Sequence, residues 1–159
     1  MKTLTPIAAA MLVAFSVNTF ADNNMAILIQ VGNGNMADAD QSDPTILNNL
    51  IVQTLIGTSN NSAASQTTGT SHSMAANLQV GELNSSNSLQ QSDTSFSSIF
   101  INQVGSMNEA DIIQLGSALS LAFIAQLGIG NMHTATQSGV DQTARVVQIG
   151  NDNMATITQ

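Results

Sequence analysis

The chain has 159 residues and no cysteine, and its two basic side chains face ten acidic ones, for a net charge of −8 at pH 7. Nucleic acid and anionic lipid both select Lys and Arg, so neither is an expected partner, and no disulfide braces the fold. Five Phe with no Trp or Tyr would make a conventional hydrophobic core thin.

Met1 to Ala21 reads as a secretory signal peptide. Lys2 supplies a short basic start, Ile7 to Phe15 an apolar run, and Ser16 to Ala21 the approach to a cut after Ala21. That run is too short for a membrane span. Residues 22–159 then form one repeat domain with Arg145 as its single basic side chain.

Repeat one starts almost at once. Gln30 is followed by Gly32, Asn35 and Gln41. The frame returns as Gln79, Gly81, Asn84 and Gln90, then as Gln103, Gly105, Asn108 and Gln114. It continues as Gln126, Gly128, Asn131 and Gln137, and closes as Gln148, Gly150, Asn153 and Gln159. A further copy led by Gln53 reads as two residues longer, with Leu55 where the others place Gly, and ends on Asn60 and Gln66. Lead glutamines 22 to 26 residues apart along the whole domain make an array of stacked units. The connections between copies, such as Ser42–Asn49 with Pro44, are expected at the surface, where insertions are tolerated.

Side-chain parity sets the shape of one unit. The lead Gln and the Gly share a strand face, but Asn and the closing Gln have the opposite parity. An arc between Gly and Asn brings both glutamines to one interior. Gly suits that corner because it accepts positive φ. The expected fold is therefore all-β: a β-solenoid of six strand–arc–strand repeats in two stacked parallel sheets, amyloid-like and cross-β. Rungs about 4.8 Å apart would place Gln over Gln and Asn over Asn as hydrogen-bonded ladders.

The inward columns contain no Asp, Glu, Lys or Arg, and His133 is their one titratable residue. A closed interior requires such segregation, because an unpaired buried charge is costly. Asp38, Asp40, Glu109 and Asp111 fall on outward positions of the second sheet, where they are expected to crowd one face and act as gatekeepers. The outward positions of the first sheet are apolar: Ile27 and Ile29, then Leu50 and Val52, and later Phe100 and Phe123. A contiguous apolar face of this kind is expected to be a contact surface, unless a connection such as Ser117–Leu121 covers it.

The frame Q-x-G-x-x-N-x5-Q, from about Met25 to Gln159, resembles the curlin repeat of bacterial curli fibres. The resemblance implies a secreted, non-enzymatic subunit that adds to its own kind in an extracellular amyloid fibre for biofilm matrix and adhesion. It also implies a second curlin subunit and an outer-membrane export apparatus as partners. Only Asp22–Asn24 separate the expected cut from repeat one, which is more similar to the minor, nucleating subunit than to the major one. The regular last repeat with one Arg is unlike that minor subunit, so both roles stay open. Neither end of the array reads as a cap, and both are expected to offer unpaired strand edges.

Other classes find little support. His72 and His133 lie beside no Cys or carboxylate pair, so no catalytic residue is expected. The acid pairs Asp38/Asp40 and Glu109/Asp111 lack the Gly-rich nonapeptide of calcium-binding β-rolls, so neither metal nor cofactor is expected. The alternative reading is a monomeric ice-binding solenoid, carried by Thr134-x-Thr136 above Asp111-x-Ile113 and below Thr156-x-Thr158.

Overall fold

Runs such as Ala26–Val31 and Ile99–Val104 alternate in side-chain direction and are rich in β-branched residues, which suit pleated strands. A computed structural model describes the backbone of residues 12–16 and all of residues 23–159, and places these runs in two sheets. The first sheet contains β1 (Leu12–Ser16), β2 (Met25–Asn33), β4 (Leu50–Thr58), β6 (Met74–Glu82), β8 (Ser98–Ser106), β10 (Leu121–Ile129) and β12 (Thr143–Asn151). The second contains β3 (Met36–Asp40), β5 (Asn61–Gln66), β7 (Ser85–Gln91), β9 (Glu109–Ala118), β11 (Met132–Val140) and β13 (Met154–Thr158). Each sheet is parallel from β2 and β3 onward, so each successive strand pair forms one rung of a six-rung solenoid. No helix occurs among the described residues.

The register corrects the frame of the second repeat. Leu55 pairs with Gln30 and Gln79, and Gly57 pairs with Gly32 and Gly81. The second unit therefore has normal length, with Leu55 in the lead position and Gly57 in the arc. Gln53 lies two residues earlier, in the column of Leu28 and Asn77. It is not a ladder residue. Its amide instead crosses the interior to the carbonyls of Asp38 at 2.9 Å and Ser62 at 3.3 Å.

Glycine is required at the first arc. Gly105 has φ +124°, and a Cβ there would overlap the carbonyl oxygen of Gly128 on the next rung. The same conflict recurs from Gly32 up to Gly128, whereas Gly150 meets only the Asn153 amide, at 3.5 Å. Two residues on, Gly34, Ser59, Leu83, Met107, Gly130 and Asp152 form a column with φ between 55° and 67°. The arc thus spends left-handed conformations on bulky Leu and Met, which ordinarily avoid them.

The return arcs are built into the stack rather than loosely laid on the surface. Thr70, Ser73, Thr94, Ser97, Ser117 and Ser120 are buried. Their polar atoms pass bonds from rung to rung: Asn49 N–H donates to Asn24 Oδ1 (2.8 Å), Ser73 N–H to Asn49 Oδ1 (2.9 Å), and Ser97 N–H to Ser73 Oγ (3.2 Å). Insertions here would break a ladder, contrary to the expectation that these connections tolerate them. Ser117 and Ser120 lie within the arc and Leu119 points into solvent, so this segment does not cover the outer face of the first sheet.

The aliphatic core runs along the whole stack, from Ala26 and Ile51 to Ala135, with a polar patch in its lower half. In the lower rungs, toward the N-terminus, Asn77 donates to Ser62 Oγ (3.0 Å) and accepts from Ser88 Oγ (2.7 Å). In the upper rungs, Ile99, Ile101, Ile112 and Ile124 are fully buried in an aliphatic core. Of the segment expected to be a leader, β1 lies antiparallel on β2, pairing Leu12–Ser16 with Ala26–Gln30. The remainder of residues 1–22 lies outside the described residues.

Candidate assembly interface

Three polar columns run the height of the solenoid. In the first, Gln79 Nε2 donates to Gln103 Oε1 (2.8 Å), Gln103 to Gln126 (2.9 Å) and Gln126 to Gln148 (2.8 Å). In the closing column the same bond links Gln41 to Gln66 (2.6 Å), Gln66 to Gln90 (2.8 Å), Gln90 to Gln114 (2.8 Å), Gln114 to Gln137 (3.0 Å) and Gln137 to Gln159 (3.2 Å). Only the first column is broken, at Leu55, so Gln30 is separated from Gln79.

The asparagine column is continuous and binds in both directions. Asn84 Nδ2 donates down to Asn60 Oδ1 (3.0 Å) and up to the Gly105 carbonyl (3.0 Å), while its main-chain N–H also reaches Asn60 Oδ1 (3.1 Å). Asn108 and Asn131 repeat this pattern, with Asn131 reaching the Gly150 carbonyl at 2.8 Å. At the bottom, Asn35 Nδ2 donates to the Gly57 carbonyl (3.0 Å) and its Oδ1 serves the Asn60 N–H (3.0 Å). Each arc is therefore fastened to both neighbours by one side chain.

These bonds have a direction, and the last described rung leaves it unfinished. Asn153 donates down to Asn131 (2.8 Å), but its other contact is the Ile149 carbonyl of its own rung (3.3 Å), with no glycine carbonyl above. Gln148 and Gln159 keep the main-chain carbonyl bond that the glutamines below them also make, to Met132 (3.0 Å) and Thr143 (3.3 Å), but have no further glutamine to bond. At the opposite end Gln41 and Asn35 open their columns, and β3 has no neighbour below it in its sheet. The top edges of β12 and β13 are likewise open, but β2 is covered by β1. Three of the four edges are bare in the described chain, not all four.

Residues 131–159, running from Asn131 through β11 and β12 to the end of β13, match the family model of the curlin associated repeat. The chain carries a curlin-type repeat. Among curated proteins none matches the chain.

The matched curlin-type repeat contains Asn131, Gln137, Gly150, Asn153, Gln148 and Gln159, each of them a column residue or an arc glycine. The other rungs place the same residue types in register with it, Leu55 excepted. Missed in the sequence were Gly57 and the arc ladder of Asn24, Asn49, Ser73, Ser97 and Ser120. Their rung-length spacing was an available signal, but Asn and Ser alternate within one column, which hid it.

The gatekeeper acids face outward and do not crowd from rung to rung, while Asp38/Asp40 and Glu109/Asp111 each sit about 6.8 Å apart along one strand face. Asp38 and Asp111 share a column, with Ala63 and Asn87 between them, about 14 Å apart at the usual strand spacing. Asp111 accepts a bond from Asn87 Nδ2 (2.9 Å), and Asp40 accepts from Ser42 N–H (3.0 Å). Glu109 stands in a third column, between Ser85 and Met132. Asp43, in the first return arc, has its carboxyl held below the usual range by the Thr45 hydroxyl first, then by the Thr45 and Thr68 N–H groups.

On the first sheet, Ile27, Val52, Phe100, Phe123 and Arg145 form one outward column, with the Arg145 guanidinium 5.6 Å from the Phe123 ring centre. Ile29 heads the next column. Leu50 pairs with Met25 and Met74 one column further out, because of the two-residue shift in frame. His133 is 1% exposed, between Ala110 and Ala155, and neither ring nitrogen has a partner. Burial lowers its pKa, which keeps the ring neutral. The threonine columns stay two rungs deep, since Asp111 and Ile113 follow Thr134 and Thr136.

Proposed function

We propose that this protein is an exported structural subunit that polymerises end to end, the top rung of one copy receiving the bottom rung of the next. The observation that carries this reading is the polarity of the ladders. Gln148 and Gln159 each bond one main-chain carbonyl and have no glutamine above to take a second bond, Asn153 turns to the Ile149 carbonyl of its own rung, and Gln30, Asn35, Gly32 and Gln41 offer the matching groups at the other end. Stacking a second copy would repeat bonds already made five times inside the chain by the closing glutamine and asparagine columns, and three times by the lead glutamines. Edge strands left open in this way template further strands. Removal of the leader, expected after Ala21, would take β1 away and open the remaining edge.

The curlin-type repeat supports placement outside the cell, in a fibre used for matrix and adhesion, with an export apparatus and a second fibre subunit as partners. The chain is offered as a building element and not as an enzyme. Purified residues 22–159 should grow thioflavin-positive fibres, after a lag that preformed fibres abolish, with a reflection near 4.8 Å along the fibre axis. A chain that stays monomeric for days at high concentration would overturn the proposal.

A further inference from the structure

The outer face of the first sheet is the largest feature that end-to-end stacking leaves unused. Fifteen of the eighteen side chains in its three middle columns are apolar; the others are Thr54, Asn102 and Arg145. None of the ten acids falls in these columns. In a chain of net charge −8, this is the surface on which two copies can meet without repulsion. Shallow grooves of about 370 Å³ and 290 Å³ flank the Phe100–Phe123 ridge, so the face can interlock with a second ridge.

At the middle of the face, Asn102 has an amide oxygen that is shielded from solvent and receives no hydrogen bond. It lies in the central column, with Leu78 below and Ala125 above. Building on the end-to-end stacking proposed above, we infer that two stacks of this chain pair through this face about a two-fold axis parallel to the stacking direction, with Asn102 meeting Asn102. Under that symmetry each rung lies opposite its own counterpart and the central column opposite itself. Two facing carboxamides, turned outward, then exchange donor and acceptor, which supplies the missing bond. A two-fold along the strands through the middle of a copy would instead set Asn102 against Leu78 and leave the oxygen unpaired. A polar residue at the centre of the seam thus selects the register, as a single buried Asn does in coiled coils.

Area makes this pairing depend on stacking. Three columns about 6.8 Å apart and six rungs about 4.8 Å apart give roughly 600 Å² per copy, short of the about 800 Å² per partner of a stable interface. Two stacked copies double it. Single copies therefore stay unpaired, and filaments pair.

The chain has no cysteine, so an Asn102→Cys variant carries one thiol. Successive copies of that position within a stack lie about 29 Å apart, well beyond disulfide reach of about 7 Å, so any bond must join two stacks. Oxidised filaments of this variant should give covalent dimers on non-reducing gels, and oxidised monomers should not. A Thr134→Cys variant, outward on the opposite sheet, should link at least tenfold less. Phe100→Ser with Phe123→Ser should leave elongation intact and turn paired filaments into single ones. Equal linkage at the two cysteine positions, or paired filaments in the double serine variant, would overturn the pairing alone. Absence of filaments altogether would overturn the stacking reading, and this pairing with it.

Discussion

Leu55 is paired in register with Gln79, and the Gln79 Oε1 that every higher glutamine fills from below is left without a donor. A buried, unserved acceptor costs roughly 1–3 kcal/mol. Leu55→Gln exchanges the burial of one Leu for two ladder bonds, to Gln79 above and from Gln30 below. Its unfolding free energy should stay within about 1 kcal/mol of the parent or rise. Gln103→Leu makes a second break, orphaning Gln126 Oε1 and the Ser85 carbonyl, and should cost about 1–3 kcal/mol. Urea denaturation of soluble monomer compares them.

Gly105 and Gly150 share a backbone conformation but not a neighbour. Ala at 105 would overlap the Gly128 carbonyl and damage the fold itself. Gly150→Ala meets no backbone within the chain, so the monomer should lose only the cost of its unusual φ, about 1–3 kcal/mol. A methyl group there would strike Gly32 of an incoming copy. Folded Gly150→Ala monomer should therefore be refused at the bottom end of wild-type seeds, where Gly32 is exposed, and should add once at the top end and then block it, measured by seeded thioflavin kinetics.

His133 gives the upper core a pH dependence of known sign. Burial depresses its pKa below 6.5 in the folded chain, and no other titratable side chain faces the interior from either sheet. Stability is then complete above pH 6.5 and falls as pH drops below it, because the unfolded chain takes up the proton first. The slope is at most about 1.4 kcal/mol per pH unit. Urea midpoints at pH 7.5 and 5.5 should differ in the parent, and by clearly less in His133→Ala.

Neutralising Asp38, Asp40, Glu109 and Asp111 to the matching amides removes net charge and relieves the two same-strand pairs, Asp38/Asp40 and Glu109/Asp111, each about 6.8 Å apart, but relieves no pair across rungs. Asp38 and Asp111 are about 14 Å apart, beyond the screening length of about 8 Å at physiological salt. The four-site variant should shorten the polymerisation lag at low salt and match the parent near 0.15 M. An equal advantage at both salts would point to local crowding instead.

The solenoid was readable because burial imposes parity. Uncharged inward columns at Gln30, Asn35 and Gln41 could follow only from a closed interior, and they recur at rung spacing. The second repeat hides its frame because Gln53 stands two residues before the true lead position, which Leu55 fills. Gly57, Asn60 and Gln66 keep the normal spacing, and only the lead residue changed, to one that fills the same buried space. The left-handed columns were hidden for another reason. Leu83, Met107, Phe96 and Leu119 hold φ of 50° to 56° because the stack fixes the arc, against their own preference. Such tertiary override leaves no local trace.

The central claim is that the last rung of one copy stacks in register on the first rung of the next. Thr158 and Asp40 occupy the same outward column at opposite ends of the solenoid, several rungs apart within one chain. In the proposed fibre they become neighbours. Fibres grown from an equal mixture of Thr158→Cys and Asp40→Cys chains, then oxidised, should yield disulfide dimers containing one chain of each kind. Fibres of either variant alone should yield none through this contact. Dimers of like chains, or fibres of the mixture without mixed dimers, would contradict end-to-end stacking in this register.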